Sequence, residues 1–157
     1  MGTCTDVSEQ RQAEEAVLRS EQQLIGIVDN SPAVIYLKDL EGRYLLVNRE
    51  FTRLFGRTPQ QIVGETDHAA FPHELAEQLR ANDLAVLAAG RPMGVEEAAP
   101  YNGEVRTYLS TKFPIYNANG EAYALGGIST DITERKRHEE ATAFWLRPAI
   151  TLLLAWT

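Results

Sequence analysis

The chain has 157 residues, 44% of them apolar and 24% charged, which is the size and composition of one globular domain able to bury a core. Fifteen basic against 22 acidic residues leave a net charge of −7, which argues against a nucleic-acid surface and against docking on anionic lipid. A lone cysteine, Cys4, excludes an internal disulfide and fits a reducing, cytoplasmic compartment, and the N-terminus lacks a charged-then-apolar signal pattern.

The first element is predicted as a helix from Asp6, where Asp6 and Glu9 form a capping-box-like pair, to the Asn30-Ser31-Pro32 break. Gln10, Ala13, Val17, Ser20, Leu24 and Ile27 recur along it at spacings of 3 and 4, a thin seam that suits either a surface helix lying on its own domain or a dimer-forming signalling helix. The start of this segment is a near-copy of a later one: GTCTDVSEQRQAEEA at 2–16 and GISTDITERKRHEEA at 127–141 agree at seven of fifteen positions, 125 residues apart. A period of that size is one domain long, so residues 1–21 are expected to be the end and linker helix of a preceding, similar domain.

Val34–Lys38 and Tyr44–Val47 flank a turn at Asp39-Leu40-Glu41-Gly42 and read as a hairpin. Asn48 is placed to cap a helix carrying Phe51, Leu54 and Phe55 that stops at Gly56. A short helix opens at Pro59. A longer one opens with Pro72 as its first residue, carries Leu75, Leu79, Asn82, Val86 and Ala89 on one stripe, and ends at Gly90. Asn82 interrupts that stripe, either as a satisfied polar residue or as one facing a cavity. Three strands follow: Met93–Ala99, a strongly alternating run from Val105 to Tyr116, and Ala122–Thr130, joined by turns at Asn102-Gly103 and Asn119-Gly120. Pro114 belongs at an edge or a bulge. Asp131, with Glu134, is expected to start the last helix. Short hairpins require antiparallel pairing, and the element order makes the chain α+β.

In this order of elements, Asp39-Leu40-Glu41-Gly42-Arg43-Tyr44, Val47-Asn48-Arg49-Glu50-Phe51, Gly64-Glu65-Thr66-Asp67 and above all the closing Gly126-Gly127-Ile128-Ser129-Thr130-Asp131-Ile132-Thr133-Glu134-Arg135-Lys136 resemble the PAS sensory domain. The resemblance covers about residues 22–141 and implies a five-stranded antiparallel sheet in spatial order 2-1-5-4-3, with helices on one face and linker helices flanking the domain. It sets the domain at 22–133, a linker helix from 134 to 141 and an atypical apolar tail at 142–157, too short for the ~20 residues a bilayer span needs. Residues 1–21 resemble the close of a preceding PAS repeat. The family sits in bacterial sensor histidine kinases and diguanylate cyclases, which implies a signal-relay module, a homodimer through linker helices and sheet, and adjacent PAS and effector domains. A non-sensing spacer or dimerisation module is the alternative.

The residues constrain the chemistry further. Flavin–cysteinyl adduct formation is not expected, because Cys4 lies upstream of the domain. Haem is not expected either: His68 falls in a turn and His73 at a solvated helix start. His68, His73 and Asp67 match no standard metal-ligand spacing, so no metal site is expected. Tyr36, Asn48, Phe51, Phe55, His68, Phe71, Leu79 and Asn82 are the candidates for a ligand pocket, although a filled core has the same composition, and no cofactor is assigned. Glu96 and Glu97 are neighbours on a strand and point to opposite faces, so they form no convergent acid pair. No nucleophile, phosphate-loop or C-x-x-C motif occurs, His138 reads as a surface residue, and no catalytic residue is named. Asp131, Thr133, Glu134 and Arg135 are the expected relay residues, with Asp131 or Thr133 capping the exit helix and Asp131 pairing with Arg135.

Overall fold

The computed structural model describes the backbone of residues 3–155 and the side chains of residues 6–144. Five antiparallel strands form one sheet in the order β2-β1-β5-β4-β3, with β1 at Val34–Asp39, β2 at Tyr44–Val47, β3 at Met93–Tyr101, β4 at Glu104–Tyr116 and β5 at Ala122–Asp131. The helices between β2 and β3, α2 (Arg49–Phe55), α3 (Pro59–Ile62) and α4 (His73–Ala89), together with a 3-10 turn at Asp67–Ala69, pack on one face. The shared core holds Val34, Tyr36, Tyr44, Val47, Phe51, Ile62, Val86 and Leu125.

Local chemistry sets the boundaries. The Asn48 carboxamide accepts from the Phe51 N–H and caps α2, and Gly56 ends that helix at φ 66°. The same carboxamide accepts from Ile35 N–H and donates to the Val28 and Ala33 carbonyls, so one residue joins the end of α1 (Thr3–Asp29), β1 and α2. Asn102 and Gly103 both take positive φ, as the tight turn between β3 and β4 requires. Pro114 lies on β4 beyond Lys112, the last residue that β3 pairs, so its missing N–H costs the sheet no hydrogen bond on that side.

Several boundaries differ from expectation. Helix α1 starts at Thr3 rather than Asp6, which places Asp6 inside its first turn, and Pro72 precedes α4 as its N-cap rather than opening it. Asp131 stays in the ladder opposite Tyr108, so the last helix, α5 (Thr133–Ala155), begins two residues later than predicted. It continues helically through Arg147 and Pro148; the side chains of the apolar tail beyond Phe144, and that of Cys4, lie outside the described residues. Helix α1 does not lie on its own domain. Residues 6–27 are exposed and only Val28 reaches the core. Among the described residues no helix is long and apolar enough to cross a membrane.

Candidate functional site

Between the sheet and the helices lies a cavity of about 40 Å³, room for a few water molecules and far below the ~300–1,000 Å³ of sites for drug-sized ligands. Its walls have two chemically distinct halves. Phe51, Phe55 and Phe71 form an edge-to-face cluster with centroids 5.0 Å apart for Phe51–Phe55 and for Phe55–Phe71, extended by Tyr44 at 5.3 Å from Phe51.

The other half is ionic. Lys38 Nζ lies 2.7 Å from Asp67 Oδ2 and 2.8 Å from Asp83 Oδ2. Lys112 Nζ lies 2.7 Å from Asp83 Oδ1 and 2.6 Å from Glu97 Oε1. All five side chains are buried. The Tyr44 hydroxyl donates to Asp67 Oδ1 at 2.5 Å and the Asn82 amide to Glu97 Oε1 at 3.0 Å. Two ammonium groups thus face three carboxylates, and neutral donors on Tyr44 and Asn82 help to hold the excess negative charge. Asp83 of α4 bridges the lysines of β1 and β4, so the helix is fastened to the sheet through one carboxylate.

Gly127 makes room for this arrangement. It sits between Tyr36 of β1 and Lys112 of β4 in the ladder, and a Cβ there would lie 2.1 Å from Tyr36 Cζ. The phenol ring lies across the position that a side chain would occupy. Burial raises the Tyr36 pKa above the tyrosine range, with Lys112 opposing and Asp83 and Glu97 adding to the rise. Tyr44 is raised by burial and then by Asp67. For Lys112, burial alone would lower the pKa, but Tyr36, Asp83 and Glu97 outweigh it and carry the ammonium above the usual lysine range.

Of the eight pocket candidates, Tyr36, Phe51, Phe55, Phe71 and Leu79 line the cavity. Asn48 is buried away from it, spent on the α1–β1–α2 junction. His68 points outward, its ring against Glu77. Asn82 does not line the cavity and acts through Glu97. Lys38, Lys112, Asp67 and Glu97 also line the cavity, with Asp83 bonded to both lysines behind its wall, and the sequence reading missed all five as site members. The usable signal was alternation: Lys38 shares a face with Val34 and Tyr36, and Lys112 with Tyr108 and Ser110, and each of these neighbours is buried.

Of the four expected relay residues, Asp131 and Thr133 bond to each other at the junction of β5 and α5. Asp131 Oδ1 accepts from the Thr133 N–H at 2.9 Å and from its hydroxyl at 2.6 Å, while Oδ2 accepts from Arg106 at 2.9 Å. Burial pushes the Asp131 carboxyl up, but the bonds from Thr133 and Arg106 prevail and hold it below the usual range. The expected Asp131–Arg135 pair does not form. Arg106 reaches Asp131 from the adjacent strand, two residues from the Tyr108–Asp131 pair and on the same face, whereas Arg135 lies 3.7 Å from Glu139 along its own helix. Thr107 bonds to both sides of the junction, its carbonyl accepting from Ile132 N–H and its N–H donating to Thr133 Oγ1. Glu134 is exposed beside Glu104, Arg106 and Arg137 in a shallow surface recess. Lys136 of α5 pairs with Glu96 of β3, the residue next to Glu97.

A family model described as "PAS fold" matches residues 28–137. The chain is 32% identical over 117 residues to the methanogenesis regulatory histidine kinase FilI of Methanothrix harundinacea, covering 74% of this chain and 13% of that protein. It is 35% identical over 103 residues to a diguanylate cyclase of Vibrio cholerae, covering 64% and 32% respectively, so it spans at most a third of either relative. The PAS domain of Bordetella pertussis BvgS superposes with a TM-score of 0.64 at 25% identity, over 83% of this chain and 98% of that one. By the match over 28–137 and by its sheet order, the chain belongs to the PAS-fold family, and its PAS domain is homologous to domains of sensor histidine kinases and of a diguanylate cyclase.

Proposed function

We propose that this PAS domain is a non-catalytic relay module, passing conformational signals between its flanking helices α1 and α5 toward an effector of the kinase or cyclase type. The observation that carries this reading is a pair of neighbours on β3. Glu97 faces inward and binds Lys112 at the cavity wall, while Glu96 faces outward and pairs with Lys136 on the first turns of α5. A change in the ionic half of the cavity that shifts β3 therefore acts directly on the exit helix. The Arg106–Asp131–Thr133 bonds fix the starting angle of that helix and complete the coupling.

Helix α1 supplies the pairing surface. Val17, Leu18, Leu24, Ile25 and Ile27 are each more than half exposed on a helix that leaves its own domain, and the Val17–Leu24 spacing is that of a two-helix seam. On this reading the domain works as a parallel homodimer in a reducing, cytoplasmic setting, in line with its single cysteine. Native mass spectrometry of the freshly purified chain tests it: a dimer is expected, and a Val17→Glu/Leu24→Glu variant is expected to be monomeric. A wild-type monomer would sink relay through paired helices.

One observation favours ligand sensing as a second reading. Tyr108 lines the cavity, is buried, and its hydroxyl has no hydrogen-bond partner among the described residues. A few-atom polar molecule would satisfy it, and the same mass spectra report a retained molecule as added mass.

A further inference from the structure

Outside the cavity, the structure gathers His68, His73 and Glu77 at the surface, with one ligand atom from each within 4.8 Å of the others. We propose that this cluster is a binding site for one divalent transition-metal ion of the zinc class. His73 and Glu77 lie four residues apart on α4 and so share one helix face. His68 comes from the 3-10 turn before α4, and its ring stands 5.3 Å from that of His73, centroid to centroid.

The donor set decides the class of ion. Two imidazole nitrogens and one carboxylate oxygen suit zinc, cobalt, nickel or copper, while magnesium and calcium require oxygen ligands. Three protein ligands at an exposed position leave the remaining coordination to water. One of the three ligands, His68, already has a partner on each ring nitrogen. His68 Nε2 lies 2.8 Å from Glu77 Oε1, the edge that an ion would enter, and Nδ1 lies 3.4 Å from Thr66 Oγ1, as a metal-bound imidazole held through its other nitrogen requires. The positive end of the α4 dipole opposes the ion and tempers its affinity. Spacing along the chain does not reveal the set, because the third ligand is Glu77, one helical turn beyond His73, and not Asp67, which is buried against Lys38 and Tyr44.

An ion here would fasten the 3-10 turn to the first turns of α4, and both segments feed the ionic half of the cavity: His68 follows Asp67, and α4 carries Asp83. The site itself does not rest on the relay reading. The test is titration of the full chain with Co²⁺, followed by its visible ligand-field absorption, and with Zn²⁺, followed by the thermal unfolding midpoint. Both are done in a Cys4→Ser background so that the thiol cannot bind. One equivalent of Co²⁺ should develop the spectrum and Zn²⁺ should raise the midpoint. His73→Ala removes an exposed side chain whose described contact is the His68 ring, and it should weaken binding at least tenfold, about 1.4 kcal/mol. His138→Ala, on α5 and outside the cluster, should change nothing. Absence of both the spectrum and the midpoint shift overturns the proposal, as does binding that survives His73→Ala or is lost with His138→Ala.

Discussion

The two halves of the central cavity are built on opposite principles. The aromatic half, Phe51, Phe55 and Phe71, is held by area and ring geometry, which tolerate small displacements. The ionic half is held by short charge-assisted bonds between groups that have left water, and these tolerate little. A packed aromatic can shift and stay favourable; an ammonium that loses its carboxylate is left buried and uncompensated. The contrast assigns different work to each half: the rings supply volume, and the charges set one position of α4 against the sheet and tie β3 to β4 beyond their ladder.

Breaking the ionic half should have the largest effect. Asp83→Ala takes one of two carboxylates from each of Lys38 and Lys112, which keep Asp67 and Glu97, and it cuts the ionic link from α4 to the sheet; breaking a buried pair typically costs about 3–5 kcal/mol, so denaturant melts should show a loss approaching that range. Alkaline titration approaches the same network from outside. Tyr36, Tyr44 and Lys112 have raised pKa values in the fold, so the stability they contribute is complete below the unfolded values of about 10 for tyrosine and 10.4 for lysine and is lost as the pH rises through the folded ones. Tyrosinate absorbance should show Tyr36 and Tyr44 ionising together with unfolding; ionisation of all six tyrosines in the folded chain near pH ~10 would contradict this.

Next in size is Gly127→Ala, which drives a methyl group into the Tyr36 ring; overpacking of this kind costs about 1–3 kcal/mol, read from the shift in denaturation midpoint. The smallest effect belongs to the aromatic half. Phe55→Leu is a hydrophobic swap beside adaptable rings and should cost under about 1.5 kcal/mol, with the Tyr36 and Tyr44 titrations unmoved. If Phe55→Leu proves costlier than Asp83→Ala, the contrast between the halves is wrong.

The residues made the aromatic half and the hairpins legible, the PAS resemblance supplied the sheet order, and the ionic half stayed hidden, for a physical reason. Aromatic residues at helical spacing and turns such as Asn102-Gly103 act locally, so their meaning survives without the fold. Lys38, Asp67, Asp83, Glu97 and Lys112 come from five elements, and each alone reads as a solvated charge. Strand alternation placed Glu96 and Glu97 on opposite faces, yet what waits on each face, Lys136 outside and Lys112 inside, is set by tertiary packing. The Asp131 partner failed in the same way: Arg135 is near in sequence, but Arg106 is the neighbour across the sheet. Asn48 was legible as a cap of α2, while its bonds to Val28 and Ala33 depend on where α1 ends.

The central claim is that the ionic half is coupled to the exit helix through β3. Hydrogen exchange of residues 131–137 in the wild type and in Glu97→Gln tests it most directly. Glu97→Gln removes one of the two charges that hold Lys112 and keeps the side chain's shape, and the described side-chain partners of Glu97 are Lys112 and Asn82, not residues of α5 or of the Arg106–Asp131 pair. The account predicts faster exchange in the first turn of α5 in Glu97→Gln, with Phe55→Leu indistinguishable from the wild type. Unchanged exchange at 131–137 in Glu97→Gln would contradict it.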